Sequence, residues 1–504
     1  MTNQPKRDNM YISNLITESE VGKWNKGDII TIDAQTGRGK SQFIMNTLYN
    51  YAKANNQRIL YLIHRKAIDK AFTDELKGED KLDIIDIKTY QSIDSKLKYG
   101  NFNLADYDYI VNDEFHYHIS DSVFNKYTDL SLDKILTATD ATRIYMSGTG
   151  EKVKGYIDKK IQNVNIHEYS LPRDYSYIKK LEFYQNASTI HKYINSILET
   201  DEKAIIFMKS ATKAWELYKE YEDKSMFVCG ESHGLYEYVD KVQRDDMLKN
   251  EKFESQLLFT TTVFEAGINL IDDKLVHIIC DLDYNTDVLL QCIGRKRINI
   301  ENESDYINLY IRNVNNQRLG GKLSQLYSHN DIANQFIISC ISDEDEKLFY
   351  HKHGREEELM RMTYVDPISK KHVLNESKYH GVKCDIEIIN TMIKDGYFGY
   401  AKYVANLLNC KYTIAEKVSR LEEITEYLKP IVGKRLLSDE REQLVKFLDL
   451  KDRWGKLRMT HTRINSYFEE ENIPFTIDVP KRKKIKDKVT GKRVNEPTYW
   501  VVKK

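Results

Sequence analysis

A chain of 504 residues is more than one hydrophobic core can hold and points to about three domains. Its 41% apolar and 30% charged composition is that of a globular protein, and no apolar run of about 18 residues interrupts it, so no membrane span is expected. With 76 Lys and Arg against 77 Asp and Glu, whole-chain charge does not attract a polyanion, and any nucleic-acid contact must be local.

The first fourteen residues are polar and lack the zones of a signal peptide, which implies a cytoplasmic location. From Asp28 to about Thr149, β-branched and aromatic runs alternate with helical stretches, the pattern of a parallel sheet covered by helices. Strands are expected at 28–33, 58–63, 82–87, 107–111 and 143–146. A second series is expected at 204–208, 225–229, 256–260, 276–280 and 306–310. A proline and polar residues near 168–174 mark the junction between the two.

Beyond about Ser328 helical periodicity takes over. Residues 401–418 have the apolar spacing of two short helices about a turn, loosely like a helix-turn-helix, though ordinary core packing of two amphipathic helices is the better explanation. The run Pro480-Lys-Arg-Lys-Lys, continuing through Lys486, Lys488, Lys492 and Arg493 to Lys504, reads as a solvated tail. The fold class is therefore α/β, with domains over 1–170, 171–327 and a mainly helical 328–504. Six scattered cysteines without a C-x-x-C pair argue against a zinc site or disulfides.

Ala34-Gln-Thr36-Gly37-Arg-Gly39-Lys40-Ser41 follows the first strand and opens a helix, the context of a phosphate-binding loop. Glycines let backbone N–H groups converge on phosphates, Lys40 supplies a cation, and the Ser41 hydroxyl can ligate Mg2+. About seventy residues on, Asp113 and Glu114 end a hydrophobic strand, where Asp113 suits the metal and Glu114 the attacking water.

Asp113-Glu114-Phe115-His116 resembles motif II of the DExH helicases of superfamily 2, and further motifs follow in order. Ser147-Gly148-Thr149 is similar to the Ser-Ala-Thr coupling motif, which also implicates His116. Thr260 to Asn269, with Gly267, resembles motif V, and Gln291 to Arg297 resembles motif VI. The resemblance covers about the first 315 residues. It implies two tandem RecA-like domains, ATP and Mg2+ as cofactors, Gln291 near the γ phosphate, and Arg295 or Arg297 as an arginine finger. Arg297 follows Arg295 by two positions where the family commonly has three, a spacing similar to viral origin-binding helicases and pointing to phage or mobile-element relatives. Arg65, beside His64, resembles motif Ia, and Thr89 and Gln91 resemble motif Ib; with Thr260 these are the expected nucleic-acid contacts. No adenine-reading glutamine motif precedes Ala34.

The reading is an ATP-driven helicase or translocase, acting on DNA in replication or recombination of a phage-like element, with replication proteins as partners. A nucleotide-gated switch or loader uses the same motifs without processive motion. A translocating subunit of a restriction or defence assembly has no nuclease carboxylate-lysine pattern to support it.

Overall fold

A computed structural model of the protein describes residues 10–64, 78, 81–123, 125–262, 269–299, 302, 304–366, 369–450, 457, 460–471, 473–481, 484–486, 493–495 and 498–504. The chain divides into two compact units, 1–412 and 413–504.

The first unit contains two parallel sheets. The first is built from β1 (Ile29–Asp33), β2 (Ile59–Ile63), β3 (Ile85–Thr89), β4 (Tyr109–Asp113), β5 (Thr142–Ser147) and β6 (Ile166–Ser170), in the order β3-β2-β4-β5-β1-β6. Both faces are covered, which is why β1, β2 and β5 read as nearly continuous apolar runs. Alternate residues of β2 serve opposite layers, Ile59, Tyr61 and Ile63 in one core and Leu60 and Leu62 in the other. The register aligns Asp33 with Ser147 and Asp113 with Met146. The segments after β1, β4 and β5 therefore emerge side by side at the carboxyl edge, where ligands bind in open α/β sheets.

The second sheet comprises β7 (Ile178–Tyr184), β8 (Lys203–Met208), β9 (Ser225–Val228), β10 (Leu257–Thr261), β11 (Leu275–Asp281) and β12 (Ile307–Arg312), running β7-β12-β11-β8-β10-β9. β3 and β4 begin two or three residues later than their sequence patterns suggest, which carries Asp113 into its strand. β6 and β7 were not expected. Residues 166–170, placed partly within the expected junction, are instead the edge strand beside β1, their exposed and half-exposed alternation hiding them in the sequence.

The helical region is shared between the two units. Helices Asn316–Ser339, Asp343–His353, Glu357–Met362, Glu376–Lys394 and Gly399–Leu407 belong to the first. Asn375 caps one of them by accepting from Lys378 N at 2.8 Å, and its amide donates to Lys126 O and Thr128 Oγ1, fastening that helix beside the first sheet. The two short helices suspected near 401–418 fall in different units.

In the second unit, helices Ala415–Leu428, Ser438–Leu448 and His461–Glu470 surround a three-stranded antiparallel sheet in the order Arg435–Leu436, Trp500–Lys503, Thr476–Asp478. The expected basic tail is a correction: Lys484–Lys486 pairs with Arg493–Asn495, and Trp500–Lys503 is the central strand. Trp500 and Val502 alternate into a core with Ile424, Leu444, Ile464, Phe468 and Phe475, and that burial outweighs the solvation that a charged run otherwise favours. Trp500→Ala should therefore cost about 3–5 kcal/mol of this unit's stability. Denaturant unfolding of the full chain checks this, and a loss below about 1 kcal/mol would contradict the central place of the strand.

Candidate nucleotide-binding cleft

The loop after β1 turns through two left-handed glycines, Gly37 (φ 86°) and Gly39 (φ 80°), before a helix opens at Lys40. Lys40 Nζ is buried, donates to Ala34 O at 2.9 Å and lies 3.6 Å from Glu114 Oε1. Ser147-Gly148-Thr149 packs directly on this loop: a Cβ on Gly148 would stand 3.0 Å from Ala34 O and 3.2 Å from Gln35 Cα. That crowding is the physical reason for glycine where the resembling motif has alanine.

Asp113 is held from two sides. The Tyr61 hydroxyl donates to Asp113 Oδ2 at 2.6 Å and the Tyr90 hydroxyl to Asp113 O at 2.9 Å, while Tyr61 also interacts with the Ser41 hydroxyl. Burial and the Glu114 charge push the Asp113 carboxyl up to about 6, against Lys40 and Tyr61. Burial acts in the same sense on Glu114, but Lys40, the His116 ring and the Ser147 hydroxyl outweigh it and hold that carboxyl below its ordinary value. One carboxylate of the pair thus stays firmly ionised while its neighbour is raised. Glu114 itself has φ 49°, a left-handed conformation uncommon outside glycine and found at constrained functional turns.

From Glu114 a run of hydrogen bonds leaves the first sheet. Ser147 Oγ donates to Glu114 Oε2 at 3.1 Å, His116 Nδ1 lies 3.0 Å from Ser147 Oγ and 3.3 Å from Thr149 Oγ1, and Gln291 Nε2 lies 2.8 Å from His116 Nε2. Gln291 is on helix Thr286–Ile293, after β11 of the second sheet.

That helix ends at Gly294, and the chain then runs extended beside Leu270, with Leu270 N donating to Arg295 O at 2.8 Å and Arg297 N to Leu270 O at 2.9 Å. Arg295 is still in the turn that closes the helix, its N–H donating to Cys292 O at 3.2 Å, and only Arg297 is carried on by the extended backbone. Lys296 points away, into a buried pair with Asp305 at 2.9 Å. Arg297 reaches the glycine loop, its Nη1 3.2 Å from where a Cβ on Gly37 would be, and its Nε donates to Asn269 Oδ1 at 2.6 Å. Nη1 is buried and has no hydrogen-bond partner among the described residues. Burial and the Arg295 charge lower the Arg297 pKa to about 10, against Glu114. Arg295 does not line the cleft. Gln35, Thr36, Gly37, Tyr175, Tyr177 and Gln291 do.

The remaining expected residues divide. Gln91 is exposed at the start of a helix, but Thr89 is buried and caps that helix by accepting from Ser92 N at 3.2 Å. Thr260 is fully buried within β10 and is not placed to touch a strand, a correction that follows from side-chain alternation. Arg65 and Gly267 lie outside the described residues. Sequence reasoning missed Tyr61, Tyr90 and Asn269, apolar-strand and loop positions whose polar ends only the fold aims. It also missed Lys152, whose ammonium lies 3.1 Å from Asp287 and 2.8 Å from Asp385 and so joins helices Glu151–Lys160, Thr286–Ile293 and Glu376–Lys394.

Two family models match this chain. "Type III restriction enzyme, res subunit" spans residues 6–152, and "Helicase conserved C-terminal domain" spans 187–299. The chain belongs to the superfamily 2 helicases. Its sheets are the two RecA-like domains of that family, and it is an ATP-hydrolysing enzyme of the helicase type. No curated protein matches it. Among solved structures, Dbp5 of S. cerevisiae bound to RNA and ADP BeF3 is 16% identical, with 58% of this chain and 81% of that one covered and a TM-score of 0.42. The DEAD-box helicase Mss116 bound to ssRNA and UDP-BeF is 14% identical, covering 78% and 85%, with a TM-score of 0.44. A DEAD box protein from Methanococcus jannaschii is 18% identical, covering 56% and 82%, with a TM-score of 0.33. Among the described residues no helix is long and apolar enough to cross a membrane.

The Gln291–His116 contact is testable by a double-mutant cycle. Gln291→Ala and His116→Ala should each slow strand-stimulated ATP turnover, and the double variant should be little worse than the poorer single one, leaving about 0.5–3 kcal/mol of coupling. Strictly additive losses would show that the two side chains act separately.

Proposed function

We propose that this helicase binds MgATP across the cleft between its two sheets and couples hydrolysis to movement along a nucleic-acid strand. The observation that carries this is the reach of Arg297 from the second sheet to the glycine loop, its buried Nη1 standing against Gly37 without an acceptor among the described residues. A buried cationic donor without an acceptor costs about 1–3 kcal/mol or more, a cost that a phosphate oxygen held at the glycine loop removes.

In this reading the backbone of Ala34, Thr36, Gly37 and Gly39 cradles the phosphates, Gly267 supports them from the second domain, and Lys40 neutralises β and γ oxygens. Ser41 and Asp113, which share the Tyr61 hydroxyl, hold Mg2+. Among the described residues no group of three or more His, Cys, Asp or Glu could bind a metal alone, which suits a cation arriving with phosphates. Glu114, kept ionised by Lys40, orients and deprotonates the attacking water. Gln291 senses the γ phosphate, Arg297 is the finger, and Arg295 tunes it from behind. His116, Ser147 and Thr149 carry the nucleotide state between domains, and Gln91 with Arg65 grips the strand.

DNA is the preferred substrate, in replication or recombination of a phage-like element with replication proteins as partners. The support is the Gly294-Arg295-Lys296-Arg297 spacing, similar to that of viral origin-binding helicases. ATP turnover with single-stranded DNA or RNA, followed by duplex displacement on the better stimulator, tests it. Preference for RNA would overturn the substrate, and stimulation without displacement or translocation would favour a nucleotide-gated switch.

Lys40→Ala should abolish hydrolysis with the fold intact, and Glu114→Gln should bind ATP yet fail to turn it over. Parental turnover in either would remove that residue from the site. Arg297→Ala should lower turnover roughly a thousandfold or more, with lysine a poor substitute, whereas Arg295→Ala should cost far less. Measured rates of the two single variants decide between them, and the reverse order would make Arg295 the finger.

A further inference from the structure

The second unit has an activity of its own to offer. From Ala415 its described elements run helix, strand, helix, helix, strand, hairpin, strand, and its three-stranded sheet places the last strand between the other two, the connectivity of a winged helix-turn-helix. Helix His461–Glu470 buries Ile464 and Phe468, four residues apart, and leaves Thr462 and Arg463 exposed. Asn465 locks it to the sheet, its amide donating to Ile477 O at 2.9 Å and accepting from Ile477 N at 2.7 Å. The helix is therefore presented rigidly with one open face.

Charge is distributed to match. Residues 413–504 hold 22 Lys and Arg against 15 Asp and Glu, a net +7 in a chain whose total is −1, leaving −8 on residues 1–412. Residues 481–493 alone contain eight basic residues and one acid, and they include both hairpin strands, Lys484–Lys486 and Arg493–Asn495. A net-acidic body carrying one local basic element is the pattern expected for a polyanion site confined to that element.

We propose that residues 413–504 bind duplex DNA, with helix His461–Glu470 in the major groove and the basic hairpin on the flanking phosphates. The form of the duplex follows from size. A helix about 10–12 Å across enters the B-form major groove, about 12 Å wide, but not the deep, narrow major groove of A-form RNA. Thr462 and Arg463 stand where base edges are met, and the hairpin cations supply sequence-independent affinity. This site is separate from the ATP cleft, and the motor reading stands whether or not it binds.

The test is fluorescence anisotropy of the full chain without nucleotide, on a DNA duplex, its single strand and the matching RNA duplex. Removing the hairpin charges together, Lys484→Ala, Lys486→Ala and Arg493→Ala, should weaken DNA-duplex binding about tenfold or more and lower the salt slope by about two to three. The charge-keeping set Lys484→Arg, Lys486→Arg and Arg493→Lys should bind like the parent. Arg463→Ala, on the exposed helix face, should weaken duplex binding by itself, which keeps the test independent of the hairpin's folding. ATP turnover without nucleic acid should not change in any variant. Unaltered duplex affinity, or losses equally large on single strands or RNA duplex, would overturn the proposal.

Discussion

The cleft depends on one directional run of hydrogen bonds, Gln291 to His116 to Ser147 to Glu114. With the Gln291 amide donating to His116 Nε2, the ring proton sits on Nδ1 and faces Ser147, and the serine proton is then left for Glu114. Thr149 N also donates to Ser147 Oγ at 3.0 Å, which saturates that oxygen as an acceptor and fixes the direction. Glu114, the carboxylate proposed to act on water, is thus linked to a side chain from the other sheet. A displacement of the second sheet that broke the Gln291 contact would release one side of the imidazole whose other side meets Ser147 and, at 3.3 Å, Glu114, so that the position of one domain reaches the carboxylate of the other.

Other links tie the same parts without passing through the reacting groups. The Gln35 side chain accepts from Asp174 N at 2.8 Å and donates to Asp174 O, so the loop after β1 grips the segment between the sheets by its backbone. Arg173 in that segment pairs with Glu151 at 2.7 Å and with Asp33 at 3.5 Å. Lys152 stays charged despite its burial because Asp287 and Asp385 raise its pKa against desolvation. The Lys152 cluster contributes little net stability, since each of its largely buried ions gives up water to make it. These contacts link the glycine loop to the interdomain segment, and the helix after β5 to the helix bearing Gln291.

Local chemistry was readable wherever function is carried by contiguous residues with a fixed backbone demand. Gly37, Gly39, Lys40 and Ser41 follow a strand, and Asp113 and Glu114 end one, because phosphate and metal geometry needs those types at those spacings. Direction was not readable. Thr89 and Thr260 have the right hydroxyls, yet one caps a helix and the other is buried in a strand. Tyr61 and Tyr90 look like ordinary core aromatics, and only the register of β2 beside β4 brings the Tyr61 hydroxyl to Asp113. The edge strand β6 was invisible because its residues are exposed or half-exposed, and β7 because the charged Lys179, Lys180 and Glu182 interrupt its apolar run.

By itself the sequence determined the α/β class, the order of two sheets and the places of the glycine loop and the paired carboxylates, since each is written within a few consecutive positions. Tertiary structure alone decided which arginine meets the glycine loop, because that depends on the helix ending at Gly294 and the chain running extended beside Leu270, some 25 residues away. It also decided that the basic run is a hairpin leading into a central strand. The partners of that strand, Arg435–Leu436 and Thr476–Asp478, are two and three residues long. Segments so short have no periodicity to detect, and their pairing is established by burial of Trp500 and Val502 rather than by local preference.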